Sequence, residues 1–176
     1  MKAFRFDVTE DLPVMPASPK LRFLAETVIA ETGHLQITDG RLFALPMTPE
    51  RAASLRTDID LAERTDAFVA RFGRLQDTLA DKLLPALLDW LAEPVAAAID
   101  NLNRAERRGW IRSVEVWIEV RRWRNRMTYE YVRDPAELAL ALTSAHAAVP
   151  LLAAAASAMA SLVFADPQNP SPAIAN

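Results

Sequence analysis

The residue types in this sequence that could do chemistry are concentrated in one polar segment, Arg124-Asn125-Arg126-Met127-Thr128-Tyr129-Glu130-Tyr131. The guanidinium of Arg124 and the amide of Asn125 are hydrogen-bond donors that need partners or a ligand wherever they are desolvated. Side chains of this kind can bind a phosphate group.

Positive charge surrounds this segment. Residues 104–133 contain nine arginines and four glutamates, whereas the whole chain has a net charge of −3. Such a basic island suits a polyanion or an acidic protein partner, and Arg121, Arg122 and Arg126 are the residues predicted to contact it. It is equally consistent with a solvated face that pairs with the acidic side chains upstream, which are Asp58, Asp60, Glu63, Asp66, Asp77 and Asp81.

One helix is predicted from Ser113 to Tyr131, and a step of 100° per residue divides it into three arcs. A charged arc is predicted to face solvent and holds Glu115, Glu119, Arg122, Arg126 and Glu130. A second is predicted to face the bundle core and holds Val116, Val120, Trp123, Met127 and Tyr131. The third changes from apolar to polar along the helix and holds Val114, Trp117, Ile118, Arg121, Arg124, Asn125, Thr128 and Tyr129.

A helix with only one charged arc is expected to be covered on two sides, by its own bundle and by a second subunit. Arg124 and Asn125 then need partners, because desolvated donors without partners are unfavourable. Two interpretations remain open. The pair fixes the register of a dimer, or it lines a polar groove across a two-fold axis that accepts a phosphate-bearing ligand.

Other chemistries lack their residues. The chain has no cysteine and only two histidines, which argues against disulfides, thiolate catalysis and a multi-histidine metal centre. Asp58 and Asp60 have the spacing of a nucleotidyltransferase metal pair but no glycine turn before them. Asp77 and Asp81 share a helix face without a third ligand. No phosphate-binding glycine loop is present. We therefore predict no metal and no cofactor.

The 176 residues favour one domain, folded as an all-α, antiparallel, four- to five-helix up-and-down bundle. We predict an N-terminal arm over 1–17, the bundle over 18–165 and a disordered tail over 166–176. Helix starts are predicted where Ser18, Thr48 and Asp134 each precede a proline.

The first helix is predicted to end at Gly33, and a short hairpin to follow around Asp39-Gly40. A stripe from Leu61 to Trp90 predicts one helix of roughly thirty residues with a kink at Pro85. A further helix is predicted to close at Gly109.

The stretch from Leu138 to Ala165 contains no charged residue and is long enough to cross a bilayer. Its larger side chains nevertheless recur at alternating steps of four and three, the spacing of one packed seam. The seam predicted to be buried in the bundle comprises Leu138, Leu142, Ala145, Val149, Leu152, Ala156, Met159 and Val163. Because the N-terminus has no apolar stretch typical of a signal peptide, we predict a cytoplasmic protein without a membrane partner.

The segment from Arg124 to Tyr131, followed by Asp134-Pro135, resembles the signature of HepT-like proteins of the HEPN superfamily. That signature is an arginine, four to six residues, a histidine, one residue and a tyrosine, usually with asparagine directly after the arginine. Segments 71–84 and 102–111 are similar to the helices that precede the motif in that family. The resemblance covers about residues 60–150.

The resemblance implies a helical bundle that forms a homodimer, with both copies of the motif lining a shared cleft. Active members are metal-independent ribonucleases that act as toxins, and their usual partner is an MNT-type nucleotidyltransferase that adenylylates the motif tyrosine. Carried over by position, Arg124 and Asn125 match the motif, Tyr129 occupies the histidine position, and Tyr131 matches the modified tyrosine.

Cleavage of RNA without a metal requires a group that removes the 2′-hydroxyl proton and a cation that stabilises the crowded phosphate. Arg124 has the charge for the second role, but tyrosine, with a reference pKa of about 10, is a poorer base near neutral pH than histidine at about 6.5. Because the histidine is replaced, we expect catalysis by Arg124, Asn125 and Tyr129 to be lost or altered. The expected function is that of a HepT-like component of a toxin–antitoxin-type pair, with a cleft that contacts RNA or phosphate. Two alternatives stay open: a non-catalytic substrate-binding or scaffold subunit of a nucleotidyltransferase, and an active metal-independent ribonuclease.

Overall fold

The computed structural model describes residues 15–129 and 134–165. These ranges contain α-helices and no strand: α1 (Pro19–Leu42), α2 (Pro49–Ala53), α3 (Ile59–Asp77), α4 (Leu84–Trp90), α5 (Ala98–Arg107), α6 (Val114–Tyr129) and α7 (Pro135–Phe164). The predicted all-α helical bundle is confirmed. Most of the predicted arm and the whole predicted tail lie outside the described residues.

The predicted helix starts are confirmed by their capping bonds. The Ser18 hydroxyl accepts a hydrogen bond from the Leu21 amide at 3.2 Å, and the Thr48 hydroxyl accepts one from the Arg51 amide at 3.2 Å. The Asp134 carboxylate accepts one from the Ala136 amide at 2.8 Å. Each bond satisfies a donor that the first helical turn leaves free.

The end predicted for the first helix is wrong, and so is the hairpin after it. The α1 helix continues through Gly33 and Gly40 to Leu42. Leu35 and Leu42 are fully buried and lie on one face at helical spacing, so a helix buries both whereas a strand would place them on opposite faces. Burial against the other helices outweighs the local preference of glycine for turns.

The predicted long helix with a kink at Pro85 is found as α3 and α4 joined by a π-helical turn over Thr78–Leu83. Proline lacks a backbone N–H and its ring collides with the preceding helical turn. The wider turn directly before Pro85 accommodates that ring without ending the helical path. The predicted end of the next helix is confirmed, because Gly109 adopts a φ of 73° just after α5.

Four long segments form the body of the bundle. The α1 and α6 helices each pack against both α3 and α7, so α1 and α6 occupy opposite corners. The short α2 helix packs on α7, and α5 packs on α4 and α6. The outer faces of α1 and α6 therefore point to different sides of the molecule.

Helix α7 is the central element, and its predicted seam is confirmed. All eight seam residues, from Leu138 to Val163, are at most 3% exposed. Among the described residues α7 is the one helix long and apolar enough to cross a membrane, with a mean hydropathy of 2.0 over 18 residues. The core helix of a bundle has the same length and composition, and the buried seam is typical of such a helix.

Candidate functional site

The candidate site lies on α6, and its register differs from the prediction. The buried residues of this helix are Val114, Trp117, Val120 and Met127, while Val116 and Trp123 are only partly buried. The apolar start of the predicted third arc is thus covered by the chain itself. Because the bundle already buries Val114 and Trp117, this part of α6 does not need a second subunit to cover it.

Arg124 belongs to the inward line of α6 rather than to an open cleft. Its Nη2 donates a hydrogen bond to the Asp77 carboxylate of α3 at 2.7 Å, and the two side chains are 30% and 37% exposed. A Cβ atom built on Gly73 would lie 3.0 Å from Arg124 Nε. The absent side chain at Gly73 is therefore what lets the arginine lie against α3 and reach Asp77.

The neighbouring residues are exposed and form the accessible part of the site. Asn125 lines a surface depression of about 280 Å³ together with Glu119, Arg122, Trp123 and Arg126. Within the described ranges the Asn125 amide makes no hydrogen bond, so its donors and acceptor face solvent.

Two of the exposed arginines have local partners. Arg122 pairs with Glu119, three residues before it on the charged arc. The Arg126 guanidinium lies 5.1 Å from the centre of the Trp123 ring and 3.7 Å from the Glu137 carboxylate at the start of α7. Exposed pairs of this kind contribute little and exchange readily for other partners.

Arg121 differs from these two, since it has no ion-pair partner among the residues that the structure covers. It is exposed on the same C-terminal half of α6. The site therefore presents three exposed guanidinium groups and one exposed amide around the half-buried Arg124. This arrangement can bind an anion or an acidic surface.

The two tyrosines of the segment lie at the end of α6 and beyond it. Tyr129 is the last residue of α6, and Tyr131 lies outside the described residues, as does Glu130. The roles predicted for them, a substitute for the histidine and a modified tyrosine, stay predictions.

Two of the four acidic residues weighed as metal ligands, Asp58 and Asp77, have other partners. Asp58 caps α3 by accepting a hydrogen bond from the Leu61 amide at 2.9 Å, and Asp77 pairs with Arg124. No group of three residues able to hold a metal occurs in the described part of the chain.

His146 does not approach the polar segment. Its Nδ1 lies 2.7 Å from the Asp39 carboxylate of α1, and its ring stacks on Phe43 with 4.2 Å between centroids. No pattern in the sequence predicts this contact, because the two residues are far apart in the chain and the Asp39-Gly40 pair predicts a turn.

The sequence patterns do not predict a second polar surface, which lies between α1 and α3. A cavity of about 550 Å³ lies along α1 and α3, and Arg71 is one of its lining residues. The Arg71 guanidinium donates hydrogen bonds to the His34 carbonyl at 3.2 Å and to the Thr38 hydroxyl. Opposite charges share the cavity wall, whose other residues are Arg41, Asp60, Glu63, Arg64 and Ala67.

Comparison of the chain with protein-family models, with curated proteins and with solved structures gives no match.

Proposed function

We propose that this protein is a HepT-like component of a toxin–antitoxin-type pair, and that it binds a nucleotidyltransferase partner through the C-terminal half of α6 without cleaving RNA. The observation that carries the proposal is the difference between Arg124 and its neighbours on α6. Arg124 is held by Asp77 of its own chain, whereas Asn125 and the arginines at 121, 122 and 126 are exposed.

The engagement of Arg124 supports the loss of catalysis. A charge stabiliser must face the phosphate in the transition state, and its effect falls when a carboxylate already neutralises it. Asp77 provides that carboxylate at 2.7 Å. Tyr129 in place of the histidine removes the usual base for the 2′-hydroxyl proton, so both halves of the reaction are weakened.

The exposed residues support a binding role. Arginine presents several donors in a planar fork that matches carboxylates and phosphates, and the Asn125 amide adds a donor and an acceptor beside it. This surface fits an acidic protein face or a phosphate group, including that of RNA. An MNT-type nucleotidyltransferase, a cytoplasmic location and the absence of a membrane partner belong to the same proposal.

A first experiment tests catalysis. Purified protein is incubated with total RNA in the presence of a chelator, beside the Arg124→Ala variant. The proposal predicts intact RNA in both samples. Cleavage by the wild-type protein that disappears in Arg124→Ala would favour the active ribonuclease instead.

A second experiment tests binding. The chain is co-expressed with an MNT-type nucleotidyltransferase, the proposed partner, and complex formation is measured by size-exclusion chromatography. Arg121→Glu combined with Asn125→Ala is expected to abolish the complex, whereas Arg107→Glu, an exposed arginine on α5, should leave it intact. Failure of the wild-type chain to form any complex would contradict the proposal.

The same complex tests the modification. With ATP present, mass spectrometry is expected to show about 329 Da added to Tyr131, the mass of one AMP group. A complex that forms without this addition would favour the scaffold alternative, in which α6 holds the enzyme but is not its substrate.

A further inference from the structure

The cavity between α1 and α3 holds charges of both signs that do not neutralise one another. Its volume of about 550 Å³ suits a small molecule. Thr38 and Arg41 line it on α1. The residues that line it on α3 share one face of that helix and are Asp60, Glu63, Arg64, Ala67 and Arg71. None of the charged lining residues forms an ion pair within the described ranges.

Arg71 is anchored on α1 and keeps part of its guanidinium unused. Its Nη1 donates hydrogen bonds to the His34 carbonyl at 3.2 Å and to the Thr38 hydroxyl. Because Thr38 is buried, its hydroxyl is a fixed anchor for the guanidinium. The Nε and Nη2 donors of Arg71 have no hydrogen-bond partner in the part of the chain that the structure describes. Together they form an edge that can bind a carboxylate through two parallel hydrogen bonds.

The carboxylates of the cavity are also unused. Asp60 and Arg64 have the spacing at which helices commonly form ion pairs. Arg64 nevertheless donates from Nε to the Asp60 backbone carbonyl, at 3.1 Å, instead of to a carboxylate. Since Arg71 is held on α1, neither arginine of α3 neutralises Asp60 or Glu63, and both carboxylates can contact a ligand.

We propose that this cavity binds a linear zwitterion, a small molecule with a carboxylate at one end and an ammonium group at the other. The carboxylate lies on the Nε–Nη2 edge of Arg71, and the ammonium group lies at Glu63 and Asp60. Glu63 and Arg71 are about 12 Å apart along the axis of α3, at about 1.5 Å per residue. A short methylene chain spans most of that distance and fills the hollow that the small side chain of Ala67 leaves.

The balance of charge favours a zwitterion over a phosphate or a polyanion. Three arginines and two carboxylates line the cavity, which leaves one positive charge in excess. A phosphate monoester brings a charge of about −1.5 to −2 at pH 7, and a strand of RNA brings more. Both would be repelled by Asp60 and Glu63, whereas a zwitterion meets the opposite charge at each end.

The cavity is separate from the polar segment of α6. It lies where α3 faces α1, whereas Gly73 and Asp77 of α3 contact Arg124 of α6. The inference therefore goes beyond the proposed function and does not rest on it. Its test uses this chain alone, so the result is independent of any complex with a nucleotidyltransferase.

Isothermal titration calorimetry on the full chain at low salt tests the ligand class. We expect ε-aminocaproate to bind at one site per chain with a dissociation constant of about 1 mM or lower. Caproate lacks the ammonium group, hexylamine lacks the carboxylate, and glycine has both but is too short, so each should bind at least about tenfold more weakly. Absence of binding by ε-aminocaproate would overturn the proposal, and so would equally tight binding of caproate or inorganic phosphate.

Variants on α3 test the location. Arg71→Lys keeps the charge but loses the planar edge, so the dissociation constant of ε-aminocaproate should rise by at least about tenfold. Arg74→Lys, an exposed arginine of α3 outside the cavity, is the matched control and should leave it unchanged. Ala67→Leu should abolish binding because it fills the hollow, whereas Ala70→Leu, at an exposed position outside the cavity, should not. Equal effects in a variant and its control would overturn the proposal.

Removal of the carboxylates provides an independent arm. Asp60→Asn combined with Glu63→Gln should weaken the binding of ε-aminocaproate by at least about tenfold and tighten that of caproate, because the cavity loses its negative end. Asp66→Asn combined with Asp81→Asn removes the same charge from exposed residues outside the cavity and should change neither. If the first double variant binds ε-aminocaproate as tightly as the wild-type chain, the ammonium group does not lie at these carboxylates and the proposal is wrong.

Discussion

Three residues set the position of Arg124. Gly73 leaves the space, Arg124 fills it, and Asp77 binds the guanidinium at 2.7 Å. The ion pair is about a third exposed, so its contribution to stability is small. Its main effect is to hold one cation of α6 against α3.

The contact between Gly73 and Arg124 predicts that the effect of Gly73→Ala on stability changes sign when Arg124 is removed. Gly73→Ala should be neutral or destabilising in the wild-type chain, because its Cβ would lie 3.0 Å from Arg124 Nε. In the Arg124→Ala background the same change should stabilise by up to about 1 kcal/mol, the usual advantage of alanine over glycine in a helix. Urea denaturation of the four proteins measures this coupling, and equal effects in both backgrounds would show that the close approach is unimportant.

The ion pair predicts a gain of RNA affinity when it is broken. Asp77→Asn frees Arg124, so binding to single-stranded RNA at low salt should tighten, and the slope of log K against log salt should steepen by about 0.7. Asp81→Asn is the matched control, because it removes the same charge from an exposed residue on the next turn. Fluorescence anisotropy compares the two, and identical titrations would argue against a contact between Arg124 and phosphate.

At the scale of single elements, the sequence predicted α7 well and α1 poorly. The α7 seam could be predicted because its eight residues recur at alternating steps of four and three, and all eight are buried, whereas Leu140 off the seam is 50% exposed. In α1 the glycines at 33 and 40 pointed to a helix end and a turn, yet both lie inside the helix. A local rule cannot tell a glycine that ends a helix from one that lies inside it.

The register of α6 shows a second limit. Trp123 and Trp117 are equally apolar in the sequence, but only Trp117 is deeply buried, at 5%. Which tryptophan is buried depends on the positions of α3 and α7. The rotation of α6 that buries Trp117 also turns Arg124 toward α3. The types of the site residues could therefore be predicted, whereas the partner of Arg124 required the tertiary structure.

The contact between His146 and Asp39 links α7 to the last turns of α1. Asp39→Ala and His146→Ala should each destabilise the protein, and their effects should fall short of additive by about 0.5–1.5 kcal/mol, the usual contribution of one hydrogen bond. His146→Ala should have the larger effect, because it also removes the stacking on Phe43. Urea denaturation of the double-mutant cycle checks this, and strict additivity would mean that the two side chains do not interact in solution.

At the scale of the whole molecule, the small residues of α7 explain how one helix serves as the centre of the bundle. Helix α7 packs against α1, α2, α3 and α6 and also touches the π-helical turn. Alanines at 145, 148, 155 and 156 are buried among these contacts. Short side chains let several helices approach one axis closely, which a helix of leucines could not allow.

This arrangement predicts that the size of a side chain, and not its hydrophobicity, determines which substitutions α7 tolerates. Ala156→Leu should destabilise the fold by about 1–3 kcal/mol, because Ala156 is fully buried and its neighbours must move. Ala154→Leu, two residues away on the exposed face, should change stability by less than about 0.5 kcal/mol. Urea denaturation distinguishes the two, and equal tolerance at both positions would mean that α7 is not packed at its centre.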